Sequence, residues 1–160
     1  MIKSMILPAL AAAIAVFPSV ANATPSHDPS PYQFTEMTGA QEVPGPGDPD
    51  GVGIFAWRVS GKSLCYIITA HNIDPATAAH IHQGPAGVAG PIVVTLKAPS
   101  EGFANDCIRA VREQTPENAD TTLTRDELQA IVHNPSQFYA NVHNAEFPDG
   151  AIRGQLANAV

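Results

Sequence analysis

From Tyr32 onward the apolar residues come in short runs closed by glycine, proline or small polar residues, a pattern that suits β-strands and little else. "YQFTEMTGAQEVPGPGDPDG" reads as one strand followed by a Gly/Pro-rich loop. "VGIFAWRVS" and "LCYIITAHNI" flank Gly61-Lys62-Ser63, the arrangement of a β-hairpin. "AAHIH" and "PIVVTL" bracket a glycine-rich loop, and "SQFYANVHN" and "GAIRGQLAN" bracket the segment from Asn144 to Gly150. Segments of this spacing, rich in Val, Ile, Phe and Tyr, predict an all-β sandwich or barrel. Gly84, Gly87 and Gly90 are read as serving turns and close backbone approach, and Pro91 as the start of the next strand.

One segment has a different period. In "TLTRDELQAIVHNP", Thr124 and Glu127 form the sequence signature of a capping box. Leu128, Ile131 and Val132 then recur at helical spacing, and Asn134-Pro135 ends the run. A single helix of about two turns is expected, packed on the sheet by that stripe. His133 falls in its last turn, where an imidazole suits the negative end of the helix dipole, so its role is read as structural.

Ahead of the strands, residues 1–23 carry the marks of a secretory signal peptide. Lys3 supplies a basic start, an apolar stretch runs from Met5 to Val16, and Ala21-Asn22-Ala23 offers a small-x-small cleavage site. The apolar stretch is shorter than the roughly 20 residues a membrane span needs. Cleavage at Ala23/Thr24 places the mature chain outside the cytoplasm, in a periplasm or the external medium. Residues 24–32 read as a flexible Pro/Ser-rich lead-in, and residues 33–160 as one domain. Without Lys3 the chain has seven basic against fifteen acidic residues, which argues against a nucleic-acid partner. Two cysteines in an exported chain predict one disulfide, Cys65 to Cys107, tying a strand to an irregular region.

Side chains alternate along a strand, so residues two apart share a face. In "AAHIHQ", Ala79 and Ile81 take one face and His80 and His82 the other. In "SQFYANVHN", Phe138, Ala140 and Val142 form the apolar face, with Tyr139, Asn141 and His143 opposite. The three imidazoles are therefore expected on outer faces of half-buried strands. If those strands are neighbours, His80, His82 and His143 converge on a site outside the core; three histidines are a recurring ligand set for zinc and copper. The same spacing fits a polar, solvated face or a catalytic pair. His71 is a candidate fourth ligand whose strand face the pattern leaves open, and Glu146 and Asp149 could complete a metal shell. Asn141 and Arg153 are expected to order the loop after His143, with Arg153 pairing Glu146 or Asp149. Serine chemistry is disfavoured, because no serine sits in a Gly-x-Ser-x-Gly turn. The Gly84–Gly90 loop opens no helix, which argues against a phosphate cradle.

Three blocks in order, "TGAQEVPG", "AAHIHQGPAGVAGPIVVTL" and "FYANVHNAEFPDGAIRGQL", resemble the CHRD domain, a module first described in chordin and widespread in exported bacterial proteins. They span Thr38 to Leu156. In chordin the module belongs to an extracellular protein that binds growth factors, so the resemblance implies an interaction role. A more distant similarity is to the Greek-key barrel of copper/zinc superoxide dismutase. There His80 and His82 match an HxH strand and His143 a late ligand, which implies copper or zinc. The match departs in the middle, because residues 83–132 contain no histidine. Arg153 is the available arginine near the late ligand. The combined expectation is a Greek-key sandwich or barrel of about eight strands, superoxide dismutase-like or immunoglobulin-like, with one short helix. Two function classes follow: an exported copper- or zinc-binding protein, or a non-enzymatic module that binds another exported protein or a surface polymer without metal. No residue pattern assigns a catalytic role.

Overall fold

The computed structural model describes residues 31–157, so the signal-peptide reading of residues 1–23 and nearly all of the 24–32 lead-in fall outside them. Nine strands and one α-helix follow in chain order: β1 (Gln33–Thr38), β2 (Val52–Ser60), β3 (Ser63–His71), β4 (Ala78–Gln83), β5 (Ile92–Leu96), β6 (Phe103–Val111), β7 (Leu123–Thr124), α1 (Arg125–His133), β8 (Phe138–His143) and β9 (Ile152–Gln155). Their order across the sheet is β5-β4-β8-β9-β1-β2-β3-β6-β7. Every neighbouring pair is antiparallel except β6 with β7. β3 and β6 lie side by side, while the β4–β5 hairpin that separates them in the chain joins the opposite edge beside β8. This is a Greek-key connection. β5 packs near the 3-10 turn Ala119–Thr121 that follows β6, so the sheet curls into a nearly closed barrel. The ninth strand, beyond the eight or so expected, is the two-residue β7.

The alternation read from the sequence is what fills the barrel. On β3 the inward set is Leu64, Tyr66, Ile68 and Ala70, which settles the open face and turns His71 outward. Facing them are Phe55 and Met37 from β2 and β1, and Ile81, Val94, Val142 and Ile152 from the other half. The β2–β3 ladder runs unbroken from Val52↔His71 to Ser60↔Ser63. Only Gly61 and Lys62 lie between its ends, and Gly61 at φ 61° supplies the positive φ a two-residue hairpin needs at its first central position.

Helix α1 begins as its capping box dictates. Thr124 Oγ1 accepts the Glu127 backbone N–H at 3.1 Å, and Glu127 Oε2 accepts the Thr124 N–H at 2.7 Å. Leu128 and Ile131 face the core, but Val132 is 38 % exposed, so the apolar stripe is narrower than its spacing suggests. At the other end His133 Nδ1 donates to the Gln129 carbonyl at 2.7 Å.

Cys65 and Cys107 are directly opposed on β3 and β6 and joined in a disulfide. Cys107 thus lies in a strand rather than in the irregular region expected. In "FANDCIRAV" only Ala104, Ile108 and Ala110 are buried, and the exposed Asn105 and Asp106 are poor strand formers, which hid β6 from a propensity reading. The bridge closes a separation of 42 residues. Replacing both cysteines (Cys65→Ala/Cys107→Ala) is expected to lower stability by about 2–4 kcal/mol in urea denaturation, and a loss below about 1 kcal/mol contradicts a structural role for the bridge. Thr124→Ala is expected to cost about 1 kcal/mol in the same assay through loss of the helix cap.

Candidate metal centre

The register of three adjacent strands assembles the site. On β4 and β8, His80 pairs with Asn141, His82 with Tyr139 and Ala78 with His143. On β8 and β9, Asn141 pairs with Arg153 and Tyr139 with Gln155. Directly paired residues share a face. His80, His82, His143, Asn141, Tyr139, Arg153 and Gln155 therefore stand on the outside of the barrel wall, while Ala79, Ile81, Ala140 and Val142 fill its inside with no measurable exposure.

Much of that outer face is shielded from solvent. The Gly84–Gly90 loop folds back over it, and polar side chains from the strands hold its backbone. Arg153 donates from Nη1 to the Val88 carbonyl and from Nη2 to the Pro85 carbonyl, both at 3.0 Å. Gln155 Nε2 donates to the Gly84 carbonyl at 2.8 Å. Tyr139 Oη accepts the Gly90 N–H at 3.1 Å, and His82 Nδ1 donates to the Gly90 carbonyl at 2.8 Å. A side chain on Gly90 would collide with the Gln83 carbonyl, and Gly87 takes φ 78°, so both glycines are required by the fold of this roof. Under it Arg153 is only 1 % exposed, Tyr139 3 % and His82 9 %.

Tyr139 lies on the strand between Arg153 and His82 and contacts both. The guanidinium carbon of Arg153 is 3.4 Å from the Tyr139 ring centroid. The His82 ring stacks on Tyr139 at 4.7 Å between centroids and 8° between planes. Arg153 thus binds the roof and the aromatic stack, and not Glu146 or Asp149 as expected. The loop after His143 is ordered instead by Asn144, whose Oδ1 accepts the Phe147 N–H at 2.7 Å.

The three imidazoles meet at the open side of the roof. His80 Nδ1 and His143 Nε2 are 3.1 Å apart. One ligand nitrogen from each histidine lies within 4.8 Å of the other two. Two imidazole nitrogens on one tetrahedral ion, bonded at ~2.0–2.1 Å, stand ~3.3 Å apart, so the cluster has about the right size. Backbone acceptors set the tautomers. His82 gives its Nδ1 proton to Gly90, and His143 gives its Nδ1 proton to the Pro148 carbonyl at 2.9 Å. His82 Nε2 is left with a free lone pair, whereas the Nε2 lone pair of His143 accepts from His80 Nδ1. His82 Nε2 is buried and has no hydrogen-bond partner, an uncompensated acceptor of the kind a cation satisfies. Asn141, 2 % exposed, lies against His82 and favours its protonated form, although neither Asn141 Oδ1 nor His82 Nε2 completes a well-aligned hydrogen bond.

Electrostatics keep these rings neutral. Burial, reinforced by His143 and His82, pushes the His80 pKa down to about 4. Burial also lowers His82 and His143, against the opposing pull of their carbonyl bonds to Gly90 and Pro148. Neutral imidazole is the form that ligates a metal.

Of the other sequence candidates, His71 is exposed at the end of β3 and takes no part in the cluster. Glu146 and Asp149 are exposed on the 144–150 loop and contribute no atom to it, although Asp149 acts on His143 through space. The sequence reading assigned no role to Tyr139, Gln155 and Asn144. Tyr139 and Gln155 could have been flagged because they share a face with Asn141 and Arg153 at a spacing of two. Arg153→Lys is expected to cost roughly 1.5–3 kcal/mol in urea denaturation, because one ammonium cannot reproduce two bonds to separate carbonyls and the stack on Tyr139. Limited proteolysis of the same variant should cut within residues 84–90; an uncut loop contradicts the pinning role.

Comparison with curated proteins and with solved structures returned no match. The family model for the CHRD domain matches residues 34–156, a span that holds all three histidines and the roof over them, and the chain belongs to the CHRD domain family.

Proposed function

We propose that this chain is an exported domain that holds one zinc or copper(II) ion through His80, His82 and His143, serving metal storage or delivery. The observation that carries this reading is His82 Nε2: buried, without a partner, and in the tautomer that presents a lone pair. A merely polar face would leave that nitrogen to water, whereas here it is buried beneath the roof with the Asn141 side chain beside it. His143 is held in the same tautomer by Pro148, and His80 reaches its nitrogen from the other side. Both zinc and copper(II) accept imidazole ligands. The bound ion would supply charge to compensate these lone pairs and an open coordination position. The chain's own contribution is to fix two tautomers through backbone carbonyls and to hold all three rings neutral by burial. Export is supported by the disulfide and by a family of extracellular modules. Among the described residues no helix is long and apolar enough to cross a membrane.

A second reading, a protein-interaction module acting without metal, is favoured by the exposed Phe34, Ile54 and Phe103 on the outer wall of β1, β2 and β6. Capture of an exported partner that persists in chelator and in His80→Ala/His82→Ala would support it.

Calorimetric titration of the chelator-stripped protein with Zn(II) and with Cu(II) is expected to give one site per chain. The His80→Ala/His82→Ala double variant should lose that binding by at least 100-fold, and unchanged affinity discards the proposal. The pH dependence has a defined sign. The histidines titrate below their ordinary value of about 6.5, so protons compete with metal only at lower pH than in an exposed three-histidine site. Affinity is therefore expected to fall at lower pH than in an exposed three-histidine site, with His80 staying neutral until pH approaches about 4. A competition titration showing a steep loss between pH 7 and 6 contradicts this.

A further inference from the structure

A second polar recess lies behind the His143 loop and plays no part in the histidine cluster. It is a cleft of about 170 Å³ formed where residues 42–46 face residues 146–150. Glu42 is its unusual member. It is only 7 % exposed, and its Oε1 is buried with no hydrogen-bond partner. Its carboxyl sits against Gly150, where any side chain would overlap it, and Gly150 takes φ 143° to leave that space. Glu146 and Asp149 line the same cleft from the opposite side and are exposed. No lysine, arginine or histidine lines it. Three carboxyl groups therefore face one small recess, and Oε1 of the most deeply placed one has no hydrogen-bond partner, although the Val43 N–H and the Arg153 charge act on that carboxyl.

We propose that this cleft is a binding site for an alkylammonium group, with Glu42 as the buried anchor and Glu146 and Asp149 as the rim. Charge decides the sign of the ligand and size decides its bulk. Drug-sized molecules occupy sites of about 300–1,000 Å³, whereas this recess admits the end of an aminoalkyl chain. A divalent metal fits less well. Among the described residues only the histidine cluster brings three His, Cys, Asp or Glu ligand atoms within reach of one ion, so these carboxylates form no preassembled cage. An ammonium group needs no such cage: it can donate to Glu42 while Glu146 and Asp149 act through their charge. Burial pushes the Glu42 carboxyl up to about 7, against the Arg153 charge and the Val43 N–H, which favour its ionised form. An entering cation supplies the compensation that burial withholds. The ammonium could belong to a free polyamine or to a lysine side chain of another protein.

The test uses the whole folded domain, labelled with 15N, in chelator so that the histidine site cannot contribute. It is titrated separately with 1,4-diaminobutane and with N-acetyl-lysine amide, against sodium chloride at matched ionic strength. Saturable shifts at Glu42, Phe147 and Gly150 are expected. Tighter binding of the diamine would identify a free polyamine as the source, and tighter binding of the lysine amide a protein side chain. Glu42→Gln should weaken binding at least tenfold. Should that variant fail to fold, the exposed Glu146→Gln/Asp149→Asn pair decides, with an expected loss of about threefold to tenfold. Shifts no larger than those of sodium chloride, or affinities unchanged in the variants, overturn the proposal.

Discussion

The guanidinium of Arg153 is the interaction on which the outer face of this barrel depends. Almost wholly buried, it spends its donors on the Val88 and Pro85 carbonyls of a loop that makes few packing contacts of its own, and its planar face lies on Tyr139. A charge this buried is tolerated only if its hydrogen bonds are made, and two backbone carbonyls of the loop make them. The loop and the arginine are thus each other's condition. With the loop down, Tyr139 and His82 become interior residues, although they stand on the outside of the sheet.

From that enclosure follow the properties of the histidine cluster. The Gly90 carbonyl, held over the strand, takes the Nδ1 proton of His82 and turns Nε2 inward. The stack on Tyr139 fixes the plane of the ring. Desolvation then keeps the imidazoles neutral, so the cluster holds lone pairs and not positive charges. The same loop-over-strand economy recurs at Gly150, whose backbone leaves room for the buried Glu42 carboxyl. Both places combine a barrel wall with a loop pressed onto it, and both leave a polar atom without a partner.

Much of the fold was legible because it follows from local rules. Alternation assigned the inner face of β4 and β8, and the Thr124–Glu127 capping box placed the start of α1 at the residue where it begins. Reading failed where local signals are weak or cancel. β6 carries the exposed, poorly strand-forming Asn105 and Asp106, and only its pairing with β3 marks it as a strand. Val132 has helical spacing but sits at the edge of the buried stripe. Arg153 was expected to seek a carboxylate nearby in sequence, whereas its partners lie 65 and 68 residues away.

The sequence by itself determined the all-β class, the pairing of the two cysteines, and the outer face on which His80, His82 and His143 stand, because a two-residue period and a count of two cysteines need no long-range information. Only the tertiary structure decided that β4 and β8 are neighbours, in the register that sets His143 beside Ala78 and within reach of His80. It alone decided that the outer face is roofed, since all the side-chain contacts that hold the loop down except His82 to Gly90 join residues more than 45 positions apart. Periodicity sorts side chains between two faces of a strand. Whether a face meets water or another part of the chain depends on where a distant loop comes to rest.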